Sequence, residues 1–421
     1  MLNHLFVHLR NYAVKEKKTL YLLSTVILFW SLFDGIITYI VPIVITDSGI
    51  SKTLMGIILG TSSVAGALFD FIACRLFRNT YYKKLFIIMF AICFGFPLLL
   101  FKAHSFFMFV IAMALWGVYY DLRVIGTFNY IGRFTPKNAH SESFGVLQVF
   151  SSIGYLVAPL IVGLLIADSL NWQPFALSWI FLILSIIFFL ILIRQTRRDG
   201  ESDCVRGLCE LAETRRSFLS EVVLWGRVGK ILFPVLLLTF FLSFSDAFFW
   251  TIGPLVAESL SEIGEFAGVF MMVYALPPLI VGWTVGSFTK RYGKKHTSFL
   301  CLFFGGLFLT FFGYINNPFI LMADIFIASF FMAMAYPAIS GAYADYISET
   351  EEYEKEIEGL EDFYGNLGYV AGPIMAGFMA DQLGNGNTFS ILGLLGVIMS
   401  LILMAVTPKS INVRSRLESA A

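Results

Sequence analysis

Two aspartates lie inside long apolar stretches of this sequence at matching positions. Asp34 and Asp246 are 212 residues apart, and each is followed by a proline eight residues later. An ionisable residue in the middle of a membrane span costs about 2.5–3.5 kcal/mol on insertion scales, so such residues are the first candidates for function. A buried carboxyl with no cation beside it can exchange a proton near neutral pH. We predict proton coupling by both aspartates; the alternative is a structural role in which hydroxyls such as Thr38 or Ser243 bond to them.

Arg123 is a basic residue in the interior of another apolar stretch, two residues after Asp121. Residues two apart point to different sides of a helix, so these side chains are not expected to pair. A guanidinium at this depth can hold an anionic substrate group or a carboxylate such as Asp34. We predict substrate binding by Arg123 and Asp121, with a buried structural ion pair as the alternative. Aromatic residues near the two aspartates are predicted to form the apolar wall of the same site or to serve only packing: Trp30, Tyr39, Phe249 and Trp250.

The composition argues against a soluble enzyme. The chain is 58% hydrophobic and 14% charged, whereas soluble domains carry about 25% charged residues. No histidines form an i, i+4 pair within an apolar stretch, and no Gly-rich phosphate loop is present. We therefore expect no metal, no cofactor and no enzymatic activity. The net charge of zero gives no reason to expect a nucleic-acid partner.

The apolar stretches are long enough to cross a lipid bilayer as helices, which needs about 20 residues each. They are too long and unbroken for barrel strands, and helices are the remaining way to satisfy the backbone in hydrocarbon. The twelve predicted spans are 19–46, 52–74, 84–102, 105–131, 141–167, 172–194, 231–257, 264–288, 297–315, 317–344, 361–381 and 387–407.

The positive charges predict that both termini are cytoplasmic. With this orientation, all 29 Lys and Arg residues except Lys52, Lys102 and Arg123 lie in inner segments. We predict a six-helix bundle over 1–194, a cytoplasmic loop over 195–230, and a second six-helix bundle with a short tail over 231–421. Within the loop, 208–228 could form an amphipathic helix on the membrane surface. We expect a monomer in the plasma or inner membrane of the cell.

The two halves repeat one pattern of small residues and proline. Small residues let membrane helices approach closely, and a proline bends a helix where neighbours cover the gap. A repeat this long corresponds to half a protein, and duplicated membrane bundles usually move solutes. The predicted helix-packing residues are Gly154, Pro159 and Gly163, which follow Tyr155 or flank it, and their counterparts Gly368, Pro373 and Gly377 around Tyr369, 214 residues later.

Two segments resemble the major facilitator superfamily. Residues 286–295, Gly-Ser-Phe-Thr-Lys-Arg-Tyr-Gly-Lys-Lys, are similar to its signature loop, with Lys290 at the usual position of an acid. The first-half copy, near 74–83, has lost the glycines. The glycine–proline pattern of spans 5 and 11 is similar to that of the family's antiporters. The resemblance implies an all-α membrane protein with two pseudo-symmetric six-helix bundles, and it implies that Asp34 and Asp246 lie near a central cavity.

The same resemblance implies a gate at the inner face, formed by charged residues of the loops. The predicted gating pairs are Lys290 or Arg291 with Glu142, and Arg78 with Glu358 or Asp362.

These features predict a secondary active transporter of a small solute that works by alternating access and is coupled to protons. The antiporter-like pattern favours efflux by antiport. One alternative is proton-coupled uptake of a sugar or an organic anion. Another is a sensor or binding protein that has the same fold without transport, which the degraded first-half signature loop favours.

The gate hypothesis predicts that reversing the charge of Glu142 removes most transport turnover. The Glu142→Lys variant would repel Lys290 and Arg291 instead of attracting them. Counterflow of a labelled solute in proteoliposomes measures the rate, and wild-type turnover in this variant would end the hypothesis.

Overall fold

The structure is a computed structural model that describes residues 2–76, 80–135, 140–165, 171–197, 218–261, 267–281, 285–350 and 353–408. All regular secondary structure in these ranges is helical, which confirms the predicted fold class. The helices are α1 Leu2–Asp47, α2 Lys52–Leu76, α3 Tyr82–Phe101, α4 Phe106–Phe134, α5 His140–Leu165, α6 Gln173–Arg197, α7 Phe218–Ser261, α8 Ala267–Ala275, α9 Pro277–Val281, α10 Val285–Tyr292, α11 Lys294–Phe311, α12 Pro318–Glu349, α13 Glu354–Leu383 and α14 Asn385–Val406, with one 3-10 turn at Phe312–Tyr314.

Ten helices of the described ranges are long and apolar enough to cross a membrane, or eleven if one bent pair counts as a span. The predicted span 361–381 lies in α13, which is not among them because its apolar residues alternate with Tyr, Asn, Gly and Pro.

The eighth predicted span, 264–288, was wrong as a single continuous helix. It is divided into α8, α9 and α10, and its two parts are inclined by 63°. The first break lies at Leu276, directly before Pro277 and Pro278. A proline lacks the backbone N–H of the helix ladder and restricts the residue before it, so the helix ends there.

Two helices begin earlier than predicted. α1 starts at Leu2, although its predicted span starts at residue 19. α7 starts at Phe218, so the described part of the predicted amphipathic helix is the first part of α7. Polar residues before a span do not stop a helix when no Pro or Gly breaks it, which is why hydropathy marks the membrane boundary and misses the helix boundary.

The chain divides into two compact units. The first comprises 1–44 and 64–210, and the second comprises 45–63 and 211–421. The predicted loop 195–230 is described only at its ends, so the predicted domain boundaries stay predictions.

In the first unit, α5 approaches α1 closely at Gly154. A Cβ atom on this glycine would lie 2.6 Å from Ser31 Cβ and 2.9 Å from the Leu28 carbonyl oxygen. One turn earlier on α5, Ser151 Oγ is 2.9 Å from Ser31 Oγ in a hydrogen bond that joins the two helices. Only a residue without a side chain allows this separation of the backbones.

The second unit repeats the contact with the equivalent residues. A Cβ atom on Gly368 of α13 would lie 2.5 Å from the Phe240 carbonyl oxygen and 2.9 Å from Ser243 Cβ of α7. Phe240 and Ser243 are the counterparts of Leu28 and Ser31 at the offset of 212. The duplication therefore preserves the same helix crossing in both units.

The first turns of α2 belong to the second unit, where α13 holds them. The backbone nitrogens of Lys52 and Thr53 donate to Asp381 Oδ1 and Oδ2 at 3.1 and 2.8 Å. Free N–H groups at a helix start need such an acceptor, and a carboxylate also matches the positive end of the helix dipole. Slightly further along, the backbone of Gly56 lies directly against the Pro373 carbonyl group.

The crossing at Gly154 yields a stability prediction. Gly154→Leu would force α5 away from α1, and overpacking of this kind costs about 1–3 kcal/mol. Thermal unfolding of the purified protein should therefore begin at a lower temperature than in the wild type.

The matched control is Gly145→Leu, because an added Cβ on Gly145 of the same helix meets no atom within 4 Å. Equal unfolding temperatures for the two variants would contradict the proposed role of the close contact.

Candidate functional site

Asp34 is the hydrogen-bond centre of the first unit. It lies in α1 and only 2% of its surface is exposed. Oδ1 accepts from Trp116 Nε1 at 3.0 Å and from the Tyr119 hydroxyl at 2.8 Å, while Oδ2 accepts from the Tyr155 hydroxyl at 2.7 Å. An ionised carboxylate can only accept, and all three partners donate, so the pocket can hold a negative charge in a satisfied state.

The helices position these donors by simple spacing. Trp116 and Tyr119 are three residues apart and therefore share one face of α4. Tyr155 follows Gly154, where α5 touches the backbone of α1. This contact brings the phenol of Tyr155 within reach of Asp34, one turn along α1 from Ser31.

Asp246 is the corresponding centre of the second unit. Oδ1 accepts from the Tyr274 hydroxyl of α8 and Oδ2 from the Tyr369 hydroxyl of α13, both at 2.9 Å. The indole of Trp250, one turn along α7, also hydrogen-bonds to the carboxyl group. The Tyr274 ring stacks on Phe249 with 3.4 Å between ring centres and 9° between planes, which fixes its orientation.

One donor is shared by the two centres and the others are not. Tyr155 and Tyr369 are repeat counterparts, and each bonds to Oδ2 of its aspartate. The second donor to Oδ1 comes from α4 in the first unit and from α8 in the second. The duplication therefore retains one aspartate–tyrosine pair, and each unit completes it differently.

The hydroxyl alternative from the sequence named the wrong kind of partner for Asp34. Thr38 Oγ1 donates to the backbone oxygen of Asp34 at 2.8 Å and leaves the carboxylate to phenols and an indole. Tyr155 and Tyr369 stood in the quoted repeat, next to Gly154 and Gly368, so their equal placement was a signal that could have found them. Trp116 and Tyr119 carried no comparable signal.

Arg123 lies against two aromatic rings of the first unit. Its guanidinium carbon is 4.6 Å from the centre of the Trp30 ring and 4.7 Å from that of Tyr120, within cation–π range. Asp34 is close enough for the charge of Arg123 to act on it. The ion pairs of the described residues include none from Arg123, and its buried Nε has no hydrogen-bond partner there. The predicted structural ion pair is therefore not a direct contact.

The remaining predicted binding residues divide between the two units. Asp121 faces α2, where its Oδ2 would be 2.5 Å from a Cβ atom on Gly66. Tyr39 is buried in α1 with 1% exposure. Trp30 is fully buried and its ring lies 5.8 Å from that of Tyr120. Phe249 and Trp250 both pack on the Tyr274 ring, so the structure brings them together with Asp246.

The predicted gating residues are described only in part. Lys290 and Arg291 are exposed in the last turn of α10, and Asp362 accepts from Asn366 Nδ2 at 3.2 Å. Arg78 and the side chain of Glu142 lie outside the described residues, so the predicted pairs stay predictions.

A different contact fastens the loop that resembles the signature motif. Lys294 Nζ bonds to Asp345 Oδ1 and to the Gly341 carbonyl oxygen, and it thereby ties the start of α11 to the end of α12. The sequence analysis missed this bond, since nothing in the spacing links residues 47 and 51 positions apart.

The predicted packing residues of α5 and α13 lie at helix contacts or inside the helices. Gly154 and Gly368 form the crossings with α1 and α7, Gly377 lies against the backbone of Lys52, the Pro373 carbonyl meets Gly56, Pro159 is buried and Gly163 is half-buried.

A family model described as Major Facilitator Superfamily matches residues 23–251 and 235–420 of the chain. A crystal structure of the nucleoside transporter NupG is similar, with 14% identity, a TM-score of 0.72, and coverage of 93% of this chain and 100% of that one. A crystal structure of the peptide transporter POT in complex with sulfate has 12% identity, a TM-score of 0.70, and coverage of 94% and 95%. Likeness at these identities shows the fold. No curated protein sequence matches this one.

The hydrogen bonds of the first centre predict the effect of removing one phenol. Tyr155→Phe leaves Oδ2 of the buried Asp34 without its donor, which costs about 1–3 kcal/mol. Tyr314→Phe is the control, because Tyr314 is 77% exposed. Denaturation of the two purified variants should give a lower stability for Tyr155→Phe, and equal stabilities would contradict the assigned hydrogen bond.

Proposed function

The chain belongs to the Major Facilitator Superfamily, and we propose that it is a proton-coupled secondary transporter that moves a small solute by alternating access. The family resemblance noted in the sequence is confirmed by the family model, and the predicted twelve-helix, two-bundle fold is confirmed by the matched structures. Family and fold support a function in membrane transport. The coupling ion, the direction and the solute are our proposals.

Proton coupling rests on Asp246 above all. The groups that act on its carboxyl among the described residues are neutral hydrogen-bond donors, namely Tyr274, Tyr369 and Trp250. Asp34 differs, because the charge of Arg123 acts on it. A buried carboxylate with no opposite charge nearby recovers little of its desolvation cost unless it binds a proton. We therefore assign the cycling proton to Asp246, and we assign to Asp34 the second, cation-balanced carboxyl of the predicted pair.

Phenol partners suit a carboxyl that changes protonation. A tyrosine hydroxyl can donate to a carboxylate and accept from a carboxylic acid, so one hydrogen bond reverses while the atoms stay in place. Tyr369 is 37% exposed, whereas the donors around Asp34 include the fully buried Tyr119. A proton has a shorter way to Asp246, through the exposed side of Tyr369.

The glycine–proline pattern in α5 and α13 favours antiport, and so efflux, over symport. Uptake of an organic anion with protons is the second candidate, because Arg123 is a cation inside a membrane helix of the first unit. We propose a plasma or inner membrane location and a monomer, as the sequence predicts.

The test is Asp246→Asn in proteoliposomes with an imposed pH gradient and a panel of labelled solutes. The amide can still accept from Tyr274 and Tyr369, but it cannot carry a proton. We expect gradient-driven movement of the solute to fall by about tenfold or more, the loss that removal of a proton-transfer group typically brings. Exchange of labelled for unlabelled solute should persist, since exchange needs no net proton transfer.

Asp47→Asn is the control, because Asp47 is an exposed carboxylate at the end of α1. Full gradient-driven movement in Asp246→Asn would exclude Asp246 as the proton carrier. Absence of both movement and exchange in the wild type would favour the sensor or binding-protein alternative.

A further inference from the structure

Arg123 is a buried cation whose hydrogen-bonding capacity the described residues leave unused. We propose that it anchors a subsite for the carboxylate of a small organic anion, within the first unit. This names the chemical class of the solute and rests on the transport function proposed above. Three observations carry it: the depth of the residue, its unused donors and the occupied state of the nearest carboxylate.

Depth prevents the guanidinium from reaching the membrane surface. Arg123 is 17 residues from the start of α4 and 11 from its end, which correspond to about 25 and 16 Å along the helix. An arginine side chain near a helix end can extend to the interface, but one at this depth cannot. The charge must therefore be balanced inside the protein.

The aromatic contacts balance the charge only in part. Trp30 and Tyr120 lie against the guanidinium and attract it by cation–π interaction. Ring faces do not accept the five N–H donors that lie in the plane of the group. The hydrogen bonds of the described residues include none from this guanidinium, and Nε is buried without a partner.

Asp34 cannot supply the missing acceptors. Its two carboxylate oxygens already accept from Trp116, Tyr119 and Tyr155 at 2.7–3.0 Å. Its charge acts on Arg123 at longer range, and it makes no ion pair with the arginine among the described residues. The protein thus provides charge near the guanidinium, while the hydrogen-bonding edge remains for a bound group.

The shape of the guanidinium selects the ligand. A planar fork of donors matches a planar carboxylate through two parallel hydrogen bonds, which a compact ammonium group cannot form. Tyr120 is 39% exposed and offers an aromatic surface beside the fork. A carboxylate with an apolar body therefore fits better than an inorganic anion or a neutral solute.

The test measures binding to the purified full chain in detergent by the shift of its thermal unfolding temperature. The probes are acetate, benzoate and succinate, with benzamide as the neutral analogue of benzoate. We expect benzoate to stabilise the protein at lower concentration than acetate, and benzamide to have no effect. In Arg123→Gln and in Arg123→Lys the apparent affinity for benzoate should fall by about tenfold or more, since both lose the forked contact.

Arg133→Gln is the matched control. Arg133 lies on the same helix, 4.4 Å from the centre of the Tyr81 ring, and its Nε also lacks a partner among the described residues. It differs in depth, because it is in the last turn of α4. Its variant should bind benzoate as the wild type does. If Arg123→Gln does not fold, the charge-preserving Arg123→Lys variant provides the same comparison.

Three results would overturn the subsite: equal effects of benzoate and benzamide, wild-type affinity in the folded Arg123 variants, or no binding of any of the three carboxylates. Carboxylate binding without any transport would leave the subsite and reject the proposed function. Proton-driven transport without carboxylate binding would do the opposite.

Discussion

Close contact between helix backbones at two glycines controls the placement of the candidate site. Gly154 lets α5 touch α1 near Leu28 and Ser31, and Gly368 lets α13 touch α7 at the equivalent residues Phe240 and Ser243. A side chain at either glycine would need the space that the neighbouring backbone occupies. Because the next residue along each helix is a tyrosine, the same contact that packs the helices also brings a phenol to each aspartate.

The two centres share this geometry and differ in electrostatics. Asp34 is sealed by three donors and lies within the field of Arg123, whereas Asp246 has neutral partners and a half-open tyrosine beside it. A duplicated bundle begins with two equal sites, and differences of this kind let one copy hold a fixed charge while the other changes its charge. This separation of roles is the physical basis of our proposal for proton coupling.

The sequence predicted the features that depend on composition and repetition. The apolar stretches located the helices, because only helices and closed barrels satisfy the backbone in lipid. The offset of 212 paired Asp34 with Asp246, and the offset of 214 quoted Tyr155 and Tyr369 without a role. Bonds between distant helices, such as that from Trp116 to Asp34, depend on packing that one sequence does not encode visibly. The break at Leu276 was missed since hydropathy averages over the two prolines that cause it.

One further detail concerns the next contact along each crossing. Gly35 of α1 meets Ala158 of α5, with 2.7 Å between an added Cβ and the alanine Cβ; in the other unit Ala247 of α7 meets Gly372 of α13 at 2.8 Å. The glycine and the alanine have exchanged helices, so each crossing still contains a single methyl group. A comparison of the two halves one position at a time would score both sites as mismatches. The quantity that the duplication has kept is the combined volume of the pair, and internal repeats in membrane proteins are better compared by contacts than by columns.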